Sequence, residues 1–121
     1  MSSAALQACM RSEIERAATV FVLDEELGAH HGLSWADFVL LHALGTDRNG
    51  WPQAQLASRL GLRGSSLLMR MRPLEKLGLL SRSAQTGQPL VALRPAGHRV
   101  LREASETAAA ICAAMAGRAT A

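Results

Sequence analysis

The stretch Leu56-Ala57-Ser58-Arg59-Leu60-Gly61-Leu62-Arg63-Gly64-Ser65-Ser66-Leu67-Leu68-Met69-Arg70-Met71-Arg72-Pro73-Leu74-Glu75-Lys76-Leu77-Gly78-Leu79-Leu80 decides the fold. Two apolar patterns of helical spacing are separated by Gly61 and closed by Gly78, and glycine is the residue that most readily ends a helix in a left-handed conformation. Pro52 to Leu60 is predicted as the first helix, with Leu56, Ala57 and Leu60 inward and Pro52 at the first position, where its missing N–H loses no partner. Gly64 to Leu77 is predicted as the second. There Leu67, Met71 and Leu74 share the core side, which leaves Ser65, Met69, Arg72 and Lys76 facing outward. Pro73 removes the bond to the carbonyl of Met69 and predicts a kink. Leu79 to Leu93 reads as two strands around Thr86-Gly87. Helix, glycine turn, helix and hairpin is the order of a winged helix-turn-helix.

Upstream, Leu6, Met10, Ile14, Ala17 and Phe21 follow spacings of four, four, three and four, one stripe of a long helix that Gly28 and Gly32 bring to a break. Ser34 is the expected N-cap of the next helix, with Asp37 three residues on as a capping-box variant ahead of Phe38, Val39, Leu41, His42 and Leu44. That helix should end at Gly45, and Thr46 to Gly50 is a polar turn. Downstream, Pro95 restarts a helix expected to end near Gly117, striped by Val100, Ala104, Ala108, Ile111 and Met115. The first and last stripes exceed what the middle can bury, so a homodimer is expected, built on dimerisation helices at 5–30 and 95–117 around a core at 33–94. The expected fold class is mainly α with a small β-hairpin wing, in a single domain of residues 1–121.

With 121 residues, 49% of them apolar, the chain suits one domain with a real core. It has no run near the roughly 20 apolar residues of a membrane span, and no basic segment leads into an apolar one at the N-terminus, so no membrane partner is expected and a cytoplasmic location is. Cys9 and Cys112 lie at opposite ends outside any CxxC pattern, which excludes a zinc ribbon and a disulfide framework. Trp35, Trp51, Phe21 and Phe38 are the aromatic residues, too few to stack the bases of a single strand. GxSxG, HExxH and a phosphate-cradling glycine loop are all missing from the sequence, so neither an enzyme nor a cofactor is expected.

The net charge of +3 is unevenly placed. Residues 1–47 hold two arginines against seven acids, whereas residues 48–102 hold ten Lys or Arg against Glu75 alone. This basic segment coincides with the helix-turn-helix, which points to double-stranded DNA as the partner and to the second helix as the element that enters the major groove. Arg63, Ser65, Ser66, Met69 and Arg70 are candidates for base-edge or adjacent phosphate contacts, with Arg72, Lys76 and Arg82 as phosphate anchors. A solvated basic surface is the plainer reading of the same charges. Arg70 sits nearer the buried edge than Arg72 and has a second reading as a brace of the fold.

The stretches Leu33-Ser34-Trp35-Ala36-Asp37-Phe38-Val39-Leu40-Leu41-His42-Ala43-Leu44, Leu56-Ala57-Ser58-Arg59-Leu60-Gly61-Leu62 and Leu74-Glu75-Lys76-Leu77-Gly78-Leu79-Leu80 together resemble the MarR family of bacterial transcriptional regulators. Leu93-Arg94-Pro95-Ala96-Gly97-His98-Arg99-Val100-Leu101 is similar to that family's exit from the hairpin, where Leu-Thr-x-x-Gly-x is usual. The resemblance covers roughly residues 6–115. It implies a triangular homodimer that places one recognition helix per subunit in the major groove and a wing toward the minor groove. It also implies a repressor that lets go when a small phenolic ligand, an oxidant or a metal arrives. By motif position, Ser65, Ser66 and Arg70 fall on the first turns of that recognition helix and Arg63 on the turn before it.

The chain departs from the family at three places. The family's wing carries an Asp-x-Arg tip, whereas here the residues are Thr86-Gly87-Gln88-Pro89, which leaves Gln88 as the wing's candidate DNA contact. Met69 stands where an Arg is frequent; it can meet a thymine methyl but not a guanine edge. One helix follows the hairpin, which implies a dimer interface smaller than the family norm.

Other residues carry paired readings. Cys9 and Cys112 suit a peroxide sensor or, more plainly, small fillers of a dimer seam. His30, His31, His42 and Asp37 suit a metal site or surface and capping histidines, and no i, i+4 ligand pair supports the metal. Trp35 and His42 suit the lining of a ligand cleft, against a half-buried core tryptophan. For the whole chain, the rival is a degenerate winged helix that binds a protein partner, favoured by Gln88 in place of the wing Arg.

Overall fold

The computed structural model describes residues 3–85 and 87–119. Along the chain come α1 (Ser3–His31), α2 (Trp35–Leu44), β1 (Trp51–Pro52), α3 (Gln53–Leu60), α4 (Gly64–Lys76), β2 (Leu80–Gln85), β3 (Gln88–Leu93) and α5 (Pro95–Ala119). They form two compact units, Ala36–Ala104 and Met1–Trp35 with Ser105–Ala121, and α5 passes from one to the other. The architecture is mainly α with a small antiparallel sheet, as the residue patterns predict.

In the Ala36–Ala104 unit the core is made by Phe38, Leu40, Leu41 and Leu44 of α2, Leu56 and Ala57 of α3, and Leu67, Met71 and Leu74 of α4, with Leu79, Leu80 and Val91 of the sheet region. Val39 is only half-buried and His42 is exposed, so the inward side of α2 runs through Leu40 and Ala43 instead. α3 and α4 end alike. The N–H of Leu62 donates to Ala57 O and that of Gly61 to Ser58 O; the N–H of Leu79 donates to Leu74 O and that of Gly78 to Glu75 O. These paired bonds satisfy the last helical carbonyls and require a left-handed residue, which Gly61 at φ 66° and Gly78 at φ 77° supply without steric cost. α4 continues through Pro73 to Lys76.

The sheet contains a strand that the local pattern does not predict. Pro52 is not the first residue of α3 but its N-cap, at φ −56° and ψ 133°, and with Trp51 it forms β1. β1 lies on the edge of the order β1-β3-β2, with Trp51 opposite Val91 and Pro52 opposite Leu90. An edge strand tolerates proline, because the missing N–H breaks no inner ladder. Gly50 leads into it at φ 95°, where an added Cβ would lie 2.7 Å from Val91 O. The hairpin runs from Leu80 opposite Leu93 to Gln85 opposite Gln88, and Gly87 turns at φ 84°. Thr86, the other expected turn residue, lies outside the described residues.

α5 is seated against the end of this hairpin through Gly97. A Cβ there would fall 2.0 Å from Leu79 O, the same carbonyl that accepts the Arg94 N–H at 2.9 Å. Any side chain at position 97 would meet backbone, so the close approach selects glycine.

In the other unit, α1 runs through Gly28 to His31. Gly28 does not break the helix; the break falls at Gly32 alone, at φ 68°, whose N–H donates to Gly28 O. The Trp35 N–H donates to Asp24 Oδ1 at 2.7 Å, so the first amide of α2 is satisfied by a carboxylate of α1. Leu23, Leu27, Leu33 and Ala108 are buried, and His31 Nε2 lies 2.7 Å from Thr107 Oγ1.

Candidate nucleic-acid interface

α4 starts without a side-chain cap. Arg63, the N-cap residue, is extended at φ −69° and ψ 152°, and the first helical bond is donated by Leu67 to Arg63 O at 3.0 Å. The amides of Gly64, Ser65 and Ser66 precede that bond, at the helix end whose dipole is positive and favours anions.

From this start the predicted division of the helix holds. Leu67, Met71 and Leu74 are buried, while Ser65, Met69, Arg72 and Lys76 are exposed. Arg63 and Arg70 are exposed as well, and Ser66 is half-buried. Met69 is 72% exposed. Among the described residues, Arg63, Arg70, Arg72 and Lys76 make no ion pair, which leaves four full positive charges on or beside one helix. Arg82 differs, because its Nε donates to Glu75 Oε1 at 3.2 Å. The only acid of the basic segment thus covers the one cation of the hairpin. Gln88 and Pro89 are exposed at the hairpin tip, which carries no charge among its described residues.

Sequence reading passed over Arg59. Its guanidinium carbon lies 5.3 Å from the centre of the Trp51 ring, within cation–π range, and the residue is exposed at the end of α3. A contact between a two-residue strand and a helix end has no periodic signature.

The Met1–Trp35 and Ser105–Ala121 unit leaves apolar surface open. Leu6, Met10, Ile14 and Phe21 are 61%, 52%, 67% and 56% exposed along the predicted stripe of α1. A groove of about 470 Å³ is lined by Val22, Glu26, His30, His31, Thr107, Ala110 and Ile111. Within it Glu26 Oε2 lies 3.2 Å from His30 Nε2, an i, i+4 pair that sequence reading overlooked. Of the histidines weighed as metal ligands or as surface and capping groups, His30 meets Glu26, His31 meets Thr107, and His42 stacks on Phe38 with ring centres 6.2 Å apart. No group of three or more metal-ligating side chains gathers among the described residues. Cys9 and Cys112 are exposed and unlinked. No described helix is long and apolar enough to cross a membrane.

No protein-family model matches the chain, and no curated protein matches it. Solved structures do. Sco3205, a MarR family transcriptional regulator from Streptomyces coelicolor solved in complex with DNA, matches with a TM-score of 0.83 at 22% identity, over 95% of this chain and 75% of its own. A MarR family regulator from Rhodococcus sp. RHA1 matches with a TM-score of 0.80 at 20% identity, over 92% and 79%. CouR from Rhodococcus jostii RHA1, bound to p-coumaroyl-CoA, matches with a TM-score of 0.75 at 22% identity, over 84% and 71%. The chain has the fold of MarR family transcriptional regulators.

Proposed function

We propose that this chain is a sequence-specific DNA-binding transcriptional regulator that acts as a cytoplasmic homodimer on a pseudo-palindromic site, most simply as a repressor. One observation carries the reading: α4 presents Arg63, Arg70, Arg72 and Lys76 without carboxylate partners around exposed Ser65 and Met69, above a buried Leu67-Met71-Leu74 stripe. A helix held from behind and cationic in front suits a duplex groove, where phosphate contacts position the protein and base edges specify the sequence. The DNA complex of Sco3205, with the same fold, supports it. The open stripe of Leu6, Met10, Ile14 and Phe21 supports a second copy as the partner that would bring two α4 helices to one site. In this reading the terminal helices serve dimerisation and residues 33–94 serve DNA binding. Arg82 and Gln88 are the hairpin's contacts, and Arg82 acts only when released from Glu75. A small-molecule effector belongs to the reading by way of CouR, whose bound p-coumaroyl-CoA makes an organic ligand the class to screen.

The test is titration of the purified protein with random-sequence duplex across salt concentrations. Log affinity should fall steeply with log salt, by about 0.9 for each phosphate contact. Arg72→Ala or Lys76→Ala should weaken binding to all sequences alike and lower that slope by about 1, whereas Ser65→Ala should change sequence preference instead. No binding to any duplex in dilute buffer would refute the reading. A second reading then takes over, a winged helix that binds a protein partner, and the uncharged hairpin tip at Gln88 and Pro89 is the observation that favours it.

A further inference from the structure

We infer that Met69 reads the C5-methyl group of a thymine in each half-site, so that the chain's sequence preference includes an apolar contact rather than a hydrogen bond at the centre of α4. This rests on the DNA-binding reading above and goes beyond it by naming the chemical group recognised.

Met69, at 72%, is more exposed than Leu6, Met10, Ile14, Phe21 or Leu77, the other exposed large apolar residues among those described. Leaving that side chain in water loses the stabilisation its burial would bring, and nothing in the Ala36–Ala104 unit covers it. Its neighbours define what can. Ser65 lies one turn before it and Arg72 one turn after on the same stripe, with Arg70 beside it, all exposed, and Arg70 and Arg72 without ion pairs. An apolar partner protein would have to bury those cations, at a cost of several kcal/mol each unless it matched them with acids. A duplex meets the same arrangement without that cost. Phosphates lie along the groove edges for the arginines, and the floor of the major groove offers one apolar group, the thymine methyl. A thioether donates no hydrogen bond and accepts only weakly, so Met69 gains little from guanine, adenine or unmodified cytosine edges.

The experiment begins with the site selected from genomic fragments by the full-length protein. Each thymine of the half-site is replaced singly by deoxyuridine, which removes the methyl and leaves every hydrogen-bonding edge unchanged. One thymine per half-site should lose about fourfold in affinity on this replacement, the value of one buried methyl. Met69→Ala should abolish the difference between thymine and deoxyuridine there, and Met69→Leu should keep it. Both variants should hold the wild-type salt slope on random duplex, which separates a lost base contact from lost folding or lost DNA binding. Equal affinity at every thymine and its deoxyuridine counterpart would overturn the inference while the regulator reading stood. So would a methyl effect that survives Met69→Ala. Failure to bind any duplex would overturn both.

Discussion

Glu75 Oε1 accepts a hydrogen bond from Arg82 Nε at 3.2 Å, which ties the last turn of α4 to the first strand of the hairpin. Both side chains are about a third exposed, at 34% and 33%. Such a pair contributes no more than about 1 kcal/mol. Its larger consequence is electrostatic, because it silences the hairpin's one cation.

Glu75→Gln should therefore lower stability by less than about 1 kcal/mol while tightening binding to random duplex and raising the salt slope by about 1, as Arg82 turns to phosphate. Denaturant melts and salt titrations of the variant check this. An unchanged slope would remove Arg82 from the interface.

The hairpin tip makes the complementary case. Gln88 is exposed and uncharged, so Gln88→Ala should leave nonspecific duplex affinity within about twofold of wild type. Gln88→Arg should raise the affinity and add about 1 to the salt slope. If Gln88→Arg binds no more tightly than wild type, the tip does not approach the duplex.

Gly97 and Gly28 should respond oppositely to the same substitution. Gly97→Ala drives a Cβ to 2.0 Å from Leu79 O and should cost about 1–3 kcal/mol or more, since both partners are backbone. Gly28→Ala lies inside α1, with Leu33 O at 3.9 Å as the nearest contact, and should stabilise by about 0.5–1 kcal/mol. Thermal melts of both variants decide this. A tolerated Gly97→Ala would mean that α5 is not held to the hairpin as described.

The open stripe of α1 predicts the assembly state. Ile14→Glu with Phe21→Glu removes two side chains that are 67% and 56% exposed in the single chain. If a second copy covers them, the dimer dissociation constant should rise by about a hundredfold or more. Sedimentation of the wild type and the double variant measures it. A wild type that sediments as a monomer at micromolar concentration would end the homodimer reading.

Local chemistry is why so much of α4 was legible. Leu67, Met71 and Leu74 repeat at helical spacing, so their common side follows from 3.6 residues per turn, and the outward set of Ser65, Met69, Arg72 and Lys76 follows with it. Gly61 and Gly78 mark helix ends because only glycine takes a left-handed conformation freely. The same logic misplaced the break at Gly28, where glycine is simply helical, and took Pro52 for a helical residue when its φ suits a strand equally well.

Sequence alone determined the five helices and the hairpin in their order, the outward side of α4 and the basic middle of the chain, because each is written in residues a few positions apart. Tertiary structure alone decided that Trp51 and Pro52 pair with Val91 and Leu90, that Gly97 lies against Leu79, and that Glu75 meets Arg82. These contacts arise between residues that periodicity does not relate. Their partners are set by how helices and strands pack around a shared core, which no single element encodes.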